Sequence, residues 1–332
     1  MALIDTLESA WYGDGRAPWW TIPPSIFYGA VIRLRRALYR AGVLRSIVLP
    51  IPVIVIGNLS VGGTGKTPLT IAVVDELRKR GFRPGVVSRG YGGTQREPLL
   101  LGDVPDPALV GDEPCLIHAS GATVVVGRDR PAAAQLLLDA GCDVLFADDG
   151  LQHYRLARDV EICVIDGVRR FGSQQLLPAG PLREPMSRLQ HVDLRVCNGG
   201  SAADGEYAMR LEGGQVVSLA GNRDQSLQAF AGQRVHAVAA IGNPQRFFDS
   251  LRSAGIAVIE HAFADHHRFV PADLDFADDL PVLMTDKDAV KCLAFALPHW
   301  WRVPVRADLP DTFYAALVER IGRVQAARRS LS

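Results

Sequence analysis

The amino-acid sequence predicts an α/β protein with a mostly parallel sheet flanked by helices and a second, smaller α/β domain. Three observations support this fold class: strand-like and helix-like segments alternate, a glycine-rich loop follows the first strand, and the 332-residue chain exceeds one typical domain. Hydrophobic residues make up 48% of the chain and charged residues 22%, which excludes wholesale disorder, collagen-like chains and coiled coils.

Residues 1–46 are predicted to form an amphipathic helical arm. Between Gly15 and Ser60 the chain has six arginines and no acidic residue, although 36 Lys and Arg balance 36 Asp and Glu overall. Apolar side chains recur at helical spacing from Ile26 to Leu38, and three of the five tryptophans precede them. The arginines that share another face of this helix are Arg33, Arg36 and Arg40. Two interpretations stay open: the arm binds an anionic bilayer, or its apolar side packs on the core.

Residues 47–204 are predicted to form the main domain, in which a glycine-rich turn and a helix ending near Arg80 follow the first strand. Its predicted strands are Val53–Gly57, Gly85–Ser88, Thr123–Gly127, Val144–Asp148, Glu161–Asp166 and Asp193–Asn198. Such alternation with helices is typical of a parallel sheet covered on both faces.

Residues 205–220 are predicted to link the domains as a β-hairpin of two short strands joined at Gly213 and Gly214. The smaller C-terminal α/β domain is predicted over residues 221–332. Its expected strands and closing helix are Val235–Ile241, Ala257–Glu260, Val282–Thr285 and Asp311–Arg328.

Several protein classes are excluded by simple patterns. The five cysteines form no CxxC pair, which indicates a reducing compartment and argues against disulfides or a thiolate zinc site. The N-terminus lacks the basic and apolar regions of a signal peptide, and no apolar run is long enough to cross a bilayer. The balanced charge argues against nucleic acid as a partner, and no obligate protein partner is evident.

The most specific local motif is a phosphate-binding loop after the first strand. Ser60–Pro68 reads SVGGTGKTP, whose glycines let backbone N–H groups approach phosphate oxygens, although Ser60 replaces the usual first glycine. Lys66 would reach the β- and γ-phosphates, and the Thr67 hydroxyl would hold Mg²⁺. The bland alternative is a turn that merely caps a helix. The predicted nucleotide-binding residues of this loop are Ser60, Val61, Gly62, Gly63, Thr64, Gly65, Lys66 and Thr67.

A second motif places two carboxylates at the end of an apolar strand. Asp148 and Asp149 follow Val144–Ala147, where P-loop proteins commonly hold Mg²⁺, so both are predicted metal ligands. Strand-end acids also serve as plain turn formers.

Other loops carry polar residues whose roles the residues alone leave open. Asp112 precedes a predicted helix, where a helix cap is the commoner function, and Arg130 follows a strand end. Asp265–His267 is either half of a metal site or the source of an orienting histidine. Lys287 and Asp288 end a strand in the manner of loops that contact a nucleotide base.

Taken in chain order, seven motifs resemble the tetraacyldisaccharide 4'-kinase family. They are SVGGTGKTP, SRGYGG at Ser88–Gly93, GDEP at Gly111–Pro114, ADDGLQH at Ala147–His153, LPAGPLREP at Leu177–Pro185, DHH at Asp265–His267 and TDKDAVK at Thr285–Lys291. The resemblance implies a P-loop fold and transfer of the ATP γ-phosphate to the 4'-hydroxyl of tetraacyldisaccharide 1-phosphate, with Mg²⁺ as cofactor. It also implies work at the cytoplasmic face of a bacterial inner membrane, which favours the membrane interpretation of the arm.

The resemblance further implies residue roles. Asp112 would be the catalytic base, and His266, in preference to His267, would orient it from the second domain. Lys66 and Arg130 would neutralise charge on the transferred phosphoryl group, and Glu184 would join Asp148 and Asp149 in the metal and water shell.

Two other function classes share parts of this pattern. A GGxGKT-type switch or metallochaperone acting on a protein partner would use the same P-loop, but Val61 stands where dimeric members place a second lysine. A small-molecule kinase or ligase of the same fold would have no use for the Trp- and Arg-rich arm.

Overall fold

Two β-sheets organise the chain. The computed structural model describes residues 2–13, 15–221 and 223–330. Its strands are β1 (Val53–Gly57), β2 (Pro84–Ser88), β3 (Leu99–Leu100), β4 (Thr123–Val126), β5 (Val144–Ala147), β6 (Val160–Asp166), β7 (Leu194–Asn198), β8 (Glu206–Glu212), β9 (Gln215–Ser218), β10 (Asp224–Ser226), β11 (Arg234–Ala239), β12 (Ala257–Ala262), β13 (Val282–Thr285), β14 (Trp300–Val303) and β15 (Arg306–Asp308).

Helices connect and cover these strands. The α-helices are α1 (Ala2–Tyr12), α2 (Ile22–Arg40), α3 (Lys66–Lys79), α4 (Pro107–Val110), α5 (Asp112–Ala119), α6 (Arg130–Asp139), α7 (Pro244–Ser253), α8 (Asp286–Cys292) and α9 (Asp311–Arg329). Short 3₁₀ helices lie at Trp19–Thr21, Met186–His191, Leu227–Phe230, Pro271–Leu274 and Leu293–Phe295. In the part of the chain that the structure describes, no helix is both long and apolar enough to cross a membrane.

The larger sheet has nine strands in the order β15-β8-β7-β6-β1-β5-β2-β4-β3. The strands from β8 to β4 run parallel, and only β3 and β15 pair antiparallel at the edges. β1, β2 and β5 are buried along their full length, as expected for strands covered on both faces. The predicted mostly parallel sheet is therefore confirmed, and its central loops open at one carboxyl edge.

The smaller sheet has six strands in the order β10-β9-β14-β13-β11-β12. Its central strands β11, β13 and β14 are parallel, and β9 and β10 pair antiparallel on one side. Phe248 of α7 and Trp301 of β14 pack on one of its faces, and Trp300 and Phe269 pack in a second cluster.

The predicted hairpin at residues 205–220 differs from the structure. Both strands form where expected, as β8 and β9, but they do not pair with each other: β8 pairs with β7 and β15, whereas β9 pairs with β14 and β10. Each strand finds a more extensive partner in a different sheet. The Gly213-Gly214 step therefore carries the chain from one sheet to the other.

The end of the chain also differs from the predicted C-terminal domain of residues 221–332. After β14 the chain returns to the first sheet, where β15 pairs with β8. Phe313, Leu317 and Ile321 of α9 are at most 1% exposed and pack in the core under β1 and α3. The first unit is therefore built from two separate segments, with the second unit inserted between them.

Helix α2 points its apolar side outward. Ile26 is 69% and Phe27 72% exposed, while its buried positions are the small residues Ser25 and Gly29. Ser25 donates to the carbonyl of Leu176, and a Cβ added at Gly29 would meet the Leu176 side chain at 2.8 Å. The alternative in which α2 packs its apolar side on the core is therefore wrong.

Candidate active site

The phosphate-binding loop lies between β1 and α3, at the carboxyl edge of the larger sheet. Gly62 and Gly65 have φ angles of 102° and 91°, in the left-handed region that favours glycine. A Cβ at Gly65 would also lie 2.4 Å from Nδ2 of Asn198, which itself donates to the Thr64 carbonyl. Residues 60–65 thus form a tight loop held from behind by β7, in front of the N-terminus of a 14-residue helix.

A proline-rich loop holds the other side of this segment. Ser60 is buried and pairs with Leu182, and the Val61 N–H donates to the Pro181 carbonyl over 2.9 Å. The Tyr12 hydroxyl donates to the Val61 carbonyl, so α1 also contacts the phosphate loop directly.

Lys66 is held by polar partners at the mouth of the loop. Its Nζ lies 3.4 Å from Asn58 Oδ1 and 3.6 Å from Asp149 Oδ1. Thr67 follows it in the first turn of α3. A cation held this way can meet phosphate oxygens without moving far.

Asp148 and Asp149 end β5 beside this lysine, and their environments differ. Burial, with Glu113 and Asp149 nearby, raises the pKa of Asp148 to about 7. Burial also acts to raise the pKa of Asp149, but Lys66 and Arg183 outweigh it and lower that pKa. Asp149 is therefore ionised, and Asp148 occupies a site short of positive charge.

The oxygen atoms in this region fit Mg²⁺. Thr67, Asp148 and Asp149 offer hydroxyl and carboxylate oxygens, the ligands that Mg²⁺ prefers. Within residues 2–13, 15–221 and 223–330, no cluster of three or more His, Cys, Asp or Glu forms a complete metal cage. Mg²⁺ commonly binds in this way, through one or two carboxylates together with substrate phosphates.

Arg130 fixes the backbone of the two aspartates rather than their carboxylates. Its Nη2 donates to the carbonyls of Asp148 and Asp149 over 2.6 and 3.1 Å, and the side chain is buried. Among the described residues its Nη1 has no hydrogen-bond partner, and that atom is fully buried. The charge-neutralising role of Arg130 stays a prediction.

Glu184, predicted in the metal shell, is only 1% exposed and is engaged by other groups. It accepts a short hydrogen bond from the Tyr154 hydroxyl, lies 3.7 Å from Arg188 Nε and contacts Gln152. Its neighbour Arg183 donates to both oxygens of Asp149. These contacts make Glu184 an anchor for the 177–185 loop, and its role as a metal ligand stays a prediction.

The predicted pair of Asp112 and His266 forms across the two units. His266 Nδ1 lies 3.2 and 3.1 Å from the two carboxylate oxygens of Asp112. Burial acts to raise the pKa of Asp112, but the hydrogen bond with His266 and the charge of Lys287 outweigh it and lower that pKa. His267 instead contacts Asp273 over 2.9 Å, so the choice of His266 as partner is confirmed in the geometry.

Lys287 and Asp288 are consecutive in the chain, but their side chains lie in different surroundings. Lys287 joins the Asp112 region, with Nζ 3.3 Å from Glu113 Oε1. Asp288 is fully buried, where it accepts from the Ala240 N–H and the Thr285 hydroxyl and stabilises the start of α8. Asp288 therefore has a structural role here, and contact of either residue with a nucleotide base stays a prediction.

Several residues that support the site are not indicated by any motif in the sequence. Asn58 and Asn198 lie at the ends of β1 and β7, and both hold the phosphate loop. Their only sequence signal is an asparagine directly after an apolar strand. In the sequence, Trp11 and Tyr12 stand out only as part of an aromatic-rich stretch. In the structure their side chains donate hydrogen bonds to the carbonyls of Pro178 and Val61.

Comparisons with known proteins find matches over most of the chain. A family model described as Tetraacyldisaccharide-1-P 4'-kinase matches residues 17–322. The chain is 50% identical over 326 residues to the tetraacyldisaccharide 4'-kinase of Stenotrophomonas maltophilia, covering 95% of this chain and 96% of that protein. It is 52% identical over 334 aligned positions to the enzyme of Xanthomonas axonopodis pv. citri, covering 95% of each.

A solved structure shows a similar fold. The crystal structure of LpxK from Aquifex aeolicus in complex with ATP superposes with a TM-score of 0.75 at 26% sequence identity. The match covers 90% of this chain and 98% of that one.

Proposed function

Since the chain belongs to the tetraacyldisaccharide 4'-kinase family, we propose the residue roles by which it carries out that family's reaction. It is an ATP-dependent kinase that transfers the γ-phosphate to the 4'-hydroxyl of tetraacyldisaccharide 1-phosphate, giving lipid IVA in lipid A biosynthesis. The observation that carries our proposal is the Asp112–His266 pair, which joins a carboxylate of the first unit to a histidine of the second.

Asp112 is the proposed base for the 4'-hydroxyl. Its lowered pKa keeps it ionised and ready to accept a proton, and His266 holds its two oxygens in place. Glu113, the next residue, lies close enough to Asp148 for its charge to help raise the pKa of that carboxyl.

The phosphate loop and the cations around it position the donor. Backbone N–H groups of residues 62–65 and Lys66 would bind the phosphates, and the buried Arg130 would hold the backbone of Asp148 and Asp149 in place and add its charge to the site. Thr67, Asp148 and Asp149 would hold Mg²⁺, which when bound neutralises phosphate charge.

The proposed location is the cytoplasmic face of the bacterial inner membrane, as a peripheral protein. The outward apolar side of α2 and its arginines support contact with anionic lipid headgroups. All five cysteines are free, in keeping with a reducing compartment. An acceptor with four acyl chains is itself held in a bilayer.

A transfer assay with labelled ATP tests the base assignment. We expect labelled product with tetraacyldisaccharide 1-phosphate in mixed micelles, and for Asp112→Asn a fall in kcat of about 10²–10⁴, since proton removal is lost. Asp103→Asn, at an exposed acid nearby, is the matched control. An Asp112→Asn variant within about threefold of wild type would refute the assignment. ATP turnover indifferent to the lipid acceptor would instead favour a nucleotide switch.

A further inference from the structure

Lys287 occupies the centre of a charged cluster between the two units. Its Nζ lies 3.3 Å from Glu113 Oε1, 3.7 Å from Asp265 Oδ1 and 3.9 Å from Asp112 Oδ2. The same atom lies 3.4 Å from Nε2 of His266. The side chain is 18% exposed, so these contacts are made largely out of water.

The cluster spans the boundary between the units. Asp112 and Glu113 begin α5 of the first unit, whereas Asp265 and Lys287 belong to the second, and α8 packs against α5. Three carboxylates converge on one ammonium group, since the nearby Lys291 is paired with Asp288 at 2.6 Å. Removing Lys287 would therefore leave carboxylates of both units facing each other without compensation.

The geometry also determines which nitrogen of His266 carries its proton. A carboxylate only accepts hydrogen bonds, so the Nδ1 that faces Asp112 carries a proton and donates to it. Nε2 faces the Lys287 ammonium group at 3.4 Å, and the hydrogen bond with Asp112 raises the pKa of the His266 ring. Asp265 Oδ2 is 3.7 Å from Nε2, too far to compete for it as a hydrogen-bond partner.

We propose that Lys287 is a positioning residue for phosphoryl transfer, which keeps His266 directed at Asp112 while it joins the second unit to the first. The proposal rests on the proposed base role of Asp112. Lys287 acts through the Asp112–His266 pair and makes no contact with the phosphate-binding loop among its described interactions.

This role differs from the nucleotide contact that the sequence predicts, and kinetics separate the two. For Lys287→Met we expect kcat to fall about 10- to 100-fold with the KM for ATP within about threefold, because the lysine supports the base and not the nucleotide. Lys287→Arg, which keeps the charge, should recover part of the loss. A large rise in the KM for ATP with little change in kcat would overturn the proposal.

The pH profile gives a second readout that a purely structural lysine would not move. The groups facing Asp112 are His266, Lys287 and, farther off, Lys291. Loss of the Lys287 cation raises the pKa of the base, which must be ionised to act. The acidic limb of kcat/KM should therefore move to higher pH in Lys287→Met and stay in place in Lys287→Arg.

Matched variants guard against a folding defect. Arg302→Met removes a 3.0 Å ion pair with Asp286 in the first turn of α8 without touching Asp112, and it should leave the acidic limb unchanged. If Lys287→Met does not fold, Lys287→Gln serves in its place. An unmoved acidic limb in either neutral variant would overturn the proposal.

A double variant separates failure of this inference from failure of the base assignment. With Asp112→Asn already present, Lys287→Met should change kcat by less than about twofold, since both act through one group. Full additivity would refute the positioning role. Near wild-type activity of Asp112→Asn alone would instead refute the base.

Discussion

At the scale of single residues, the environment of each carboxylate decides its charge. Asp148 and Asp149 are adjacent, yet Asp149 receives two hydrogen bonds from Arg183, while among the described residues the Asp148 carboxylate receives one, from the Thr70 hydroxyl at 3.4 Å. Both residues lie in the turn after β5, where Asp149 has a φ angle of 45°; its carboxylate meets Lys66 and Arg183, whereas that of Asp148 is buried. The pKa values of two identical side chains are thus shifted in opposite directions.

This difference predicts a pH-dependent stability in the absence of Mg²⁺. The folded pKa of Asp148 is raised to about 7, above its unfolded value, so its contribution favours folding at low pH and is lost as pH rises towards 7. Asp148→Asn should remove this dependence and raise the melting temperature at pH 8 in metal-free buffer, measured by calorimetry. Asp279→Asn, at an exposed position, is the control. Equal melting temperatures of wild type and Asp148→Asn at pH 8 would contradict the prediction.

At the residue scale, the sequence predicts contacts between consecutive residues much better than contacts between distant ones. The phosphate loop follows from local spacing alone, because its residues are consecutive. The Asp112–His266 contact joins residues 154 positions apart, and it was predicted only through the family resemblance. The sequence predicts that Lys287 contacts the nucleotide, because a motif at the end of a strand does not show which loop of the other unit lies opposite the lysine.

At the scale of elements, α2 shows what a pattern of apolar residues leaves undecided. The periodicity predicts an amphipathic helix correctly, but the same periodicity suits packing on the core or exposure. The deciding feature is the small face formed by Ser25 and Gly29, which allows close approach to the 175–179 loop. The same holds for strands β8 and β9: the local sequence predicts where they lie but not which strands they pair with.

Helix α2 makes a prediction about membrane binding. Replacing its arginines by Arg33→Glu, Arg36→Glu and Arg40→Glu should weaken binding to anionic phosphatidylglycerol vesicles at least about tenfold, since each basic residue contributes about 1 kcal/mol near such a surface. Co-sedimentation at low salt measures this.

A control with the same charge change lies elsewhere on the surface: Lys79→Glu, Arg96→Glu and Arg306→Glu, all at exposed positions. The prediction is wrong if both triple variants lose vesicle binding equally. Activity towards a detergent-dispersed acceptor should stay within about threefold in the α2 variant, because the site itself is unchanged.

At the scale of the whole molecule, the final helix belongs to the unit that binds phosphate. Phe313 of α9 is fully buried against Tyr207 in the core of the larger sheet. Phe313→Ala should destabilise that unit by about 3–5 kcal/mol through the cavity it leaves. Calorimetry with and without an ATP analogue identifies the affected transition, which is the one that ligand shifts upward.

Phe248→Ala offers the reciprocal variant, because Phe248 is buried in the smaller sheet's core. It should lower the transition that does not respond to nucleotide. If Phe313→Ala lowers that same transition instead, α9 belongs energetically to the second unit, as the sequence suggested. Helix α9 was assigned there because it is adjacent in sequence, and nothing in its own pattern indicates the return to β8.

The insertion of one unit into the other also orders events during synthesis. Residues 215–303 are contiguous, so the smaller sheet has all its strands once they leave the ribosome. The larger sheet has most of its strands earlier, yet the part of its core beside α3 that α9 covers stays exposed until α9 is made. During synthesis the phosphate-binding unit is therefore incomplete until α9 is made, about 250 residues after β1. Until then its exposed apolar surface can be bound by chaperones.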